Sequence, residues 1–279
     1  MVVNVTLSVI LYGATMTDDL ASRLTRAYAG CAQTFSWRRP PDPATALGIL
    51  AQACTDLGID KWDVYDERGA VERLEVEVRA LLGKPAAAYF PSGIMAQQAA
   101  LRVHTERAGS QRVALPDLSH LLVHEQDGPR LLQGLRMEFL TQGFQAPTTA
   151  HLEAIPGRLG AVLVELPLRD AGCLLPSWDE LAELSAACRA RGVALHIDGA
   201  RLWESADYLG HSLAQIAGLA DTVYVSFYKG LGGLAGSVLA GETDVIAEAR
   251  LWRRRMGGNV YHHTAEAVSA RSACATGCR

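Results

Sequence analysis

The chain has 279 residues, with 26 Lys and Arg against 30 Asp and Glu for a net charge of −4, and is 49% hydrophobic and 20% charged. This is a soluble globular composition, long enough for one large domain with appendages or for two unequal domains. Slight acidity without a basic stripe argues against nucleic acid as a partner, and no stretch approaches the ~20 apolar residues of a membrane span.

Residues 1–60 read as an N-terminal extension packed on the main body. Val2–Leu11 is apolar, but no Lys or Arg precedes it and Asn4, Thr6 and Ser8 interrupt it, which argues against a signal peptide. A helix-like stretch at Leu20–Ala29 and a proline-rich turn at Arg38–Pro43 follow. The cysteines Cys31, Cys54, Cys173, Cys188, Cys274 and Cys278 are too irregular for a disulfide scaffold and form no C-x-x-C pair, so reduced thiols and a cytoplasmic location are expected.

From Val71 the pattern changes. Val71, Leu74, Val78, Leu81 and Leu82 recur at helical spacing, and Gly83 stops that helix. Strands are predicted at Ala86–Phe90, Arg112–Leu115, Ala161–Glu165, Val193–Ile197, Thr222–Phe227 and Ser237–Ala240. Helices are predicted at Met95–His104, Trp178–Arg191, Ser212–Leu219 and Asp244–Arg255. Such alternation predicts an α/β fold, a parallel or mixed sheet covered by helices on both faces, with ligands at the carboxyl ends of its strands.

Four segments could carry chemistry. In VALHIDGAR, Asp198 ends a strand with Arg201 close behind, either beside a cofactor or as a cap of the following helix. In DTVYVSFYKGLGG, a strand delivers Lys229 into glycines that let backbone approach a ligand, although a lone lysine there is commonly a solvated charge. Gly230, Gly232 and Ala235 fit a dinucleotide fingerprint, but a short strand follows them where that motif needs a helix, so a nicotinamide site is not expected.

In YFPSGIMAQQAAL, Ser92 and Gly93 open a helix whose N–H groups could cradle a phosphate, or Ser92 is an ordinary N-cap. In SHLLVHEQDG, His120, His124 and Glu125 cluster, but the order of residues does not match a zinc protease motif and no metal site is expected. A phosphate cradle, an aromatic nitrogen ring, an acid and a lysine in that order describe a site for pyridoxal 5′-phosphate. The lysine would form a Schiff base with the aldehyde and the carboxylate would keep the ring nitrogen protonated.

The stretch from Lys61 to Tyr261 resembles the threonine aldolase and aromatic amino acid β-eliminating lyase family of fold type I pyridoxal phosphate enzymes. WDVYDERGAVERLE, FPSGIMAQQAAL, SHLLVHEQDG, HIDGARLWE and YKGLGGLAGSVL are similar to five motifs of that family, in its order. The resemblance implies a seven-stranded, mostly parallel large domain over residues 61–261. It implies Lys229 as the Schiff-base lysine, Asp198 on the pyridinium nitrogen and His120 stacked on the ring. Ser92, Gly93 and the Ile94 N–H would hold the phosphate, with Arg201 close to the cofactor. It further implies cleavage of a β-hydroxy amino acid to glycine and an aldehyde by a homodimer or homotetramer, with β-elimination on an aromatic amino acid, or a catalytically impaired relative, as alternatives.

Departures accompany the match. Ile94 replaces a threonine, Tyr228 replaces a serine, and ELPLRD at Glu165–Asp170 puts Leu168 or Arg169 where the family has a histidine, which puts threonine itself in doubt as substrate. The family continues into a smaller C-terminal domain whose arginine binds the substrate carboxylate, whereas this chain stops 18 residues after Tyr261. Residues 262–279 are therefore expected to be a truncated start of that domain. Ser272–Arg279 is expected to end the helical pattern that begins at His262, and a frameshift after Arg271 is the reading proposed for that break.

Overall fold

The computed structural model describes residues 41–277, without the side chains of 275–277, together with Ser22, Arg23, Arg26, Ala27 and Gly30. The apolar run Val2–Leu11 and most of the stretch Leu20–Ala29 lie outside the described residues. Seven strands form one sheet in the order β1-β7-β6-β5-β4-β2-β3, with β1 Ala86–Phe90, β2 Arg112–Leu115, β3 Arg136–Phe139, β4 Ala161–Glu165, β5 Ala194–Gly199, β6 Thr222–Ser226 and β7 Ser237–Gly241. β2 through β6 pair in parallel, whereas β7 runs antiparallel between β1 and β6. The carboxyl ends of β1, β2, β4, β5 and β6 therefore share one edge.

Strand alternation decides which face each residue serves. Ala87 and Tyr89 enter one core layer with Val223 and Val225, while Ala88, Phe90 and Tyr224 enter the opposite one. Helix Gly93–Ala108 crosses the second face beside Thr243–Arg255, and Gly69–Leu81, Trp178–Arg191 and Thr264–Gly277 contribute to the first. The helices thus cover both faces, as the alternation predicts. Each of the six predicted strands is present, with ends displaced by two residues at most. β3 was not predicted: it is four residues long, sits at the sheet edge and exposes Phe139, so it carries no buried apolar run to read.

Two further helices alter the expected ends of the chain. Pro43–Asp56 begins at the N-cap Asp42, whose carboxylate accepts the N–H groups of Ala44 and Thr45, each at 3.1 Å. Thr264–Gly277 does not end at Ser272 as expected, because Ala273 to Ala275 are small residues that a helix accommodates easily. Its Ala267, Val268 and Ala270 are fully buried in the first core layer. Asp63 anchors its start, accepting the His263 N–H at 2.9 Å and the Thr264 hydroxyl at 2.5 Å. The start of the 61–261 segment and the residues after it are thereby tied together.

Candidate active site

Four strand ends, those of β1, β2, β5 and β6, deliver the expected residues to the common edge. Asp198 is the penultimate residue of β5 and is 1% exposed. Its Oδ1 accepts the Ala200 N–H at 3.0 Å, closing a tight turn. It does not cap the following helix Leu202–Leu209, whose N-cap is Arg201 with no side-chain capping bond. Burial raises the Asp198 carboxyl above the usual range, and His120 and the Gln97 amide on helix Gly93–Ala108 act in the opposite sense. That cost is sustained by no structural cap, which leaves the carboxylate available to a ligand.

β6 ends at Ser226 and the chain turns through Phe227 and Tyr228 to Lys229. Burial lowers the Lys229 amine below its ordinary pKa, and the guanidiniums of Arg201 and Arg169 lower it further. Its ammonium lies 4.9 Å from the centre of the Tyr228 ring and forms no ion pair among the described residues. At Gly230 next to it, a Cβ would stand 1.6 Å from Glu204 Oε1, the far end of an exposed side chain that can move aside.

After β1, Ser92 caps helix Gly93–Ala108 with its Oγ accepting the Met95 N–H at 3.3 Å. The capping reading of Ser92 is therefore satisfied, and the free N–H groups of the first turn still face the edge. Gly93 is buried against Tyr224, whose hydroxyl lies 2.0 Å from where a Cβ would stand. Ile94 is 41% exposed beside it.

After β2, His120 opens the short helix His120–Val123. Its Nδ1 lies 3.3 Å from Glu125 Oε1, and Gln98 Nε2 donates to the other Glu125 oxygen at 3.4 Å. The His120 and His124 rings are 4.9 Å apart, and His124 Nε2 lies 2.6 Å from Asp170 Oδ2. Each histidine thus has its own carboxylate. Among the described residues no cluster of three or more His, Cys, Asp and Glu is arranged to hold a metal ion.

Glu165 is the residue that motif reading alone passed over. At the end of β4 it is 7% exposed, and its two oxygens accept the His120 N–H at 2.9 Å and the Arg169 N–H at 3.2 Å. Burial, reinforced by the neighbouring Asp198, pushes its carboxyl up to about 8. Gln97 was likewise missed, because a glutamine in a helical run carries no motif. Its Oε1 is buried with no hydrogen-bond partner.

These residues fit pyridoxal phosphate. A buried carboxylate, an unpaired lysine at the next strand end, an orphaned amide oxygen and a helix N-terminus pressed tight by Gly93 supply donors and acceptors for its ring, aldehyde and phosphate.

The β-eliminating lyase family model matches residues 50–278. The chain belongs to that family. Among curated proteins, this β-eliminating lyase family member is 35% identical over 211 residues to aldolase vrtJ of Penicillium aethiopicum, covering 72% of the chain and 53% of the relative. It is 30% identical over 223 residues to low-specificity L-threonine aldolase 1 of Arabidopsis thaliana, covering 76% of the chain and 61% of the relative. A Listeria monocytogenes EGD-E structure provisionally assigned as an L-allo-threonine aldolase superposes with a TM-score of 0.85 at 37% identity, covering 92% of this chain and 70% of that one. The chain thus spans little more than half the length of the curated relatives, and its fold is that of the family's fold type I structures. No described helix is long and apolar enough to cross a membrane.

Proposed function

We propose that this family member is a pyridoxal phosphate-dependent lyase that cleaves a β-hydroxy amino acid into glycine and an aldehyde. The observation that carries the proposal is the convergence of Lys229 and buried Asp198 at adjacent strand ends, within reach of His120 and the Ser92–Ile94 helix start. When bound, pyridoxal phosphate supplies an electron sink for the pair released at Cα. Asp198 would hold the proton on the ring nitrogen and Lys229 would hold the aldehyde carbon. Ser92, Gly93 and Ile94 would bind the phosphate through the first-turn N–H groups, and His120 would lie against the ring. Arg201, unpaired among the described residues, would take the α-carboxylate.

The Lys229 amine has a depressed pKa, so it releases its proton more readily than a solvated lysine. His120, whose Nδ1 lies beside Glu125, would accept the proton of a β-hydroxyl. Self-association as a homodimer or homotetramer, a cytoplasmic location, and residues 61–261 as the cofactor-binding large domain belong to the same proposal. The test is to load the purified chain with pyridoxal phosphate and supply L-threonine and L-allo-threonine. Glycine and acetaldehyde should appear, and a borohydride-fixed cofactor should map to Lys229. Fixation at another lysine overturns the reading.

A further inference from the structure

We propose that Arg169 forms a second anion subsite beside Lys229, which selects β-hydroxy amino acids whose β-carbon carries a carboxylate. This rests on the lyase reading above and names its substrate class. Arg169 opens the 3-10 turn Arg169–Ala171, two residues beyond Pro167. That turn is fixed at three points. The Arg169 N–H donates to Glu165, Asp170 pairs with His124 at 2.6 Å, and Leu168 and Leu174 exchange backbone hydrogen bonds of 2.8 and 3.1 Å across its base.

The carboxyl group of Glu165 also accepts the His120 N–H, so Arg169 and His120 start from opposite oxygens of one carboxyl. The backbone of Arg169 is thus fixed, and a guanidinium on so fixed a backbone would ordinarily meet a protein carboxylate. Arg169 is half-buried, yet among the described residues its side chain forms no ion pair or hydrogen bond. The nearby acids are already engaged: Glu165 by two backbone N–H groups, Asp170 by His124, and Glu125 by His120 and Gln98.

Charge counting identifies the missing partner. Arg169 and His120 share Glu165, which register sets beside Asp198 on the edge that also carries Lys229 and Arg201; both guanidiniums lower the Lys229 amine, and the phosphate cradle at Ser92 lies on a different strand end. An amino acid with one carboxylate satisfies Arg201 and leaves Arg169 half-buried and without a charged partner among the described residues. A second carboxylate on Cβ satisfies it, and a planar guanidinium is suited to grip that group through two parallel bonds. The smallest such substrate is 3-hydroxyaspartate. Its Cα–Cβ bond breaks, the β-hydroxyl loses its proton as its carbon becomes a carbonyl, and Cα takes up a proton. Glycine and glyoxylate result without any oxidant.

The experiment compares 3-hydroxyaspartate with L-threonine on the cofactor-loaded full chain and titrates L-aspartate against L-alanine by calorimetry. In the unmodified protein kcat/KM should favour the dicarboxylate at least tenfold. In Arg169→Gln that ratio should fall by thirtyfold or more, with Arg169→Lys recovering part of it. No preference in the unmodified protein, or an equal loss on both substrates in Arg169→Gln, overturns the subsite. If neither substrate releases glycine, the lyase reading fails by itself and calorimetry still decides. Aspartate binding at least tenfold tighter than alanine, lost in Arg169→Gln, supports the subsite. Equal binding, or none, overturns it.

Discussion

Glu165 and Asp198 stand directly opposite each other in the register of β4 and β5, so two buried carboxyls are neighbours on the sheet edge that faces Lys229. Like charges so placed cannot both ionise cheaply in a desolvated site. Burial, reinforced by Asp198, pushes Glu165 up to about 8, and burial raises Asp198 as well. Hydrogen bonding sets the two apart: Glu165 braces the backbone of His120 and Arg169, whereas Asp198 accepts only the turn N–H of Ala200 from the backbone.

A pH dependence follows from that division. Glu165 binds its proton more tightly folded than unfolded, so its contribution to stability is whole below 4.5 and is withdrawn as pH climbs from 4.5 towards 8. Unfolding of the apo protein should show the unmodified chain losing ground to Glu165→Gln between pH 5 and 8. In Asp198→Asn one cause of the raised pKa is gone, and the decline should finish at lower pH. The same variant should bind pyridoxal phosphate but lose lyase turnover by orders of magnitude. Full turnover in Asp198→Asn would reduce the carboxylate to a turn-forming group.

Lys229 is held at a cost to the fold. Burial and two neighbouring guanidiniums disfavour its charged form, and nothing among the described residues pairs with it. Lys229→Ala should therefore raise the stability of the apo protein by on the order of 1 kcal/mol while abolishing the borohydride-fixed adduct. Thermal melts and peptide mass mapping read the two effects separately. A destabilised variant would mean that Lys229 supports the core.

At Gly93 the cradle leaves no room for a side chain. The ring atoms of Tyr224 at 2.4 and 2.8 Å from a built Cβ are those of a residue only 3% exposed, so the ring cannot swing aside. Gly93→Ala should cost about 1–3 kcal/mol by overpacking and weaken pyridoxal phosphate binding tenfold or more. Retention of affinity in a chemically denatured and refolded Gly93→Ala protein would separate the cradle from the phosphate.

Much of this site was legible from residue patterns because strand ends announce themselves. An apolar run closing on Asp198, or one running into Lys229 and glycines, marks both the element and the edge where its last side chain emerges. What stayed hidden acts through backbone or across the sheet. Glu165 looks like an unremarkable strand terminus until register sets it beside Asp198. Arg169 is an ordinary surface residue type until its neighbours are found to be paired elsewhere. Sequence pattern alone ends the helix Thr264–Gly277 at Ser272 because small residues give little periodic contrast, yet those residues suit a helix packed on Gly69–Leu81.

The last prediction concerns acid. His104 on helix Gly93–Ala108 and His196 on β5 both lie 2.8 Å from the Thr222 hydroxyl, through Nε2 and Nδ1 respectively. Burial lowers His104 to about 4 and His196 to about 3, so both rings are neutral in the fold. In the unfolded chain they protonate near 6.5, and their contribution is therefore whole above 6.5 and lost as pH falls from there towards 4 and 3. At pH 5 each ring should withdraw roughly 2 kcal/mol. This runs opposite to Glu165 and bounds stability on the acid side. Thr222→Val leaves two buried ring nitrogens without their partner and should cost ~2–4 kcal/mol at pH 7, whereas Thr222→Ser should retain most of the stability. Ring-proton NMR between pH 8 and 5 should show both imidazoles unchanged. A titration of either near 6.5 in the folded protein would mean that water reaches this interior and that the acid limit has another source.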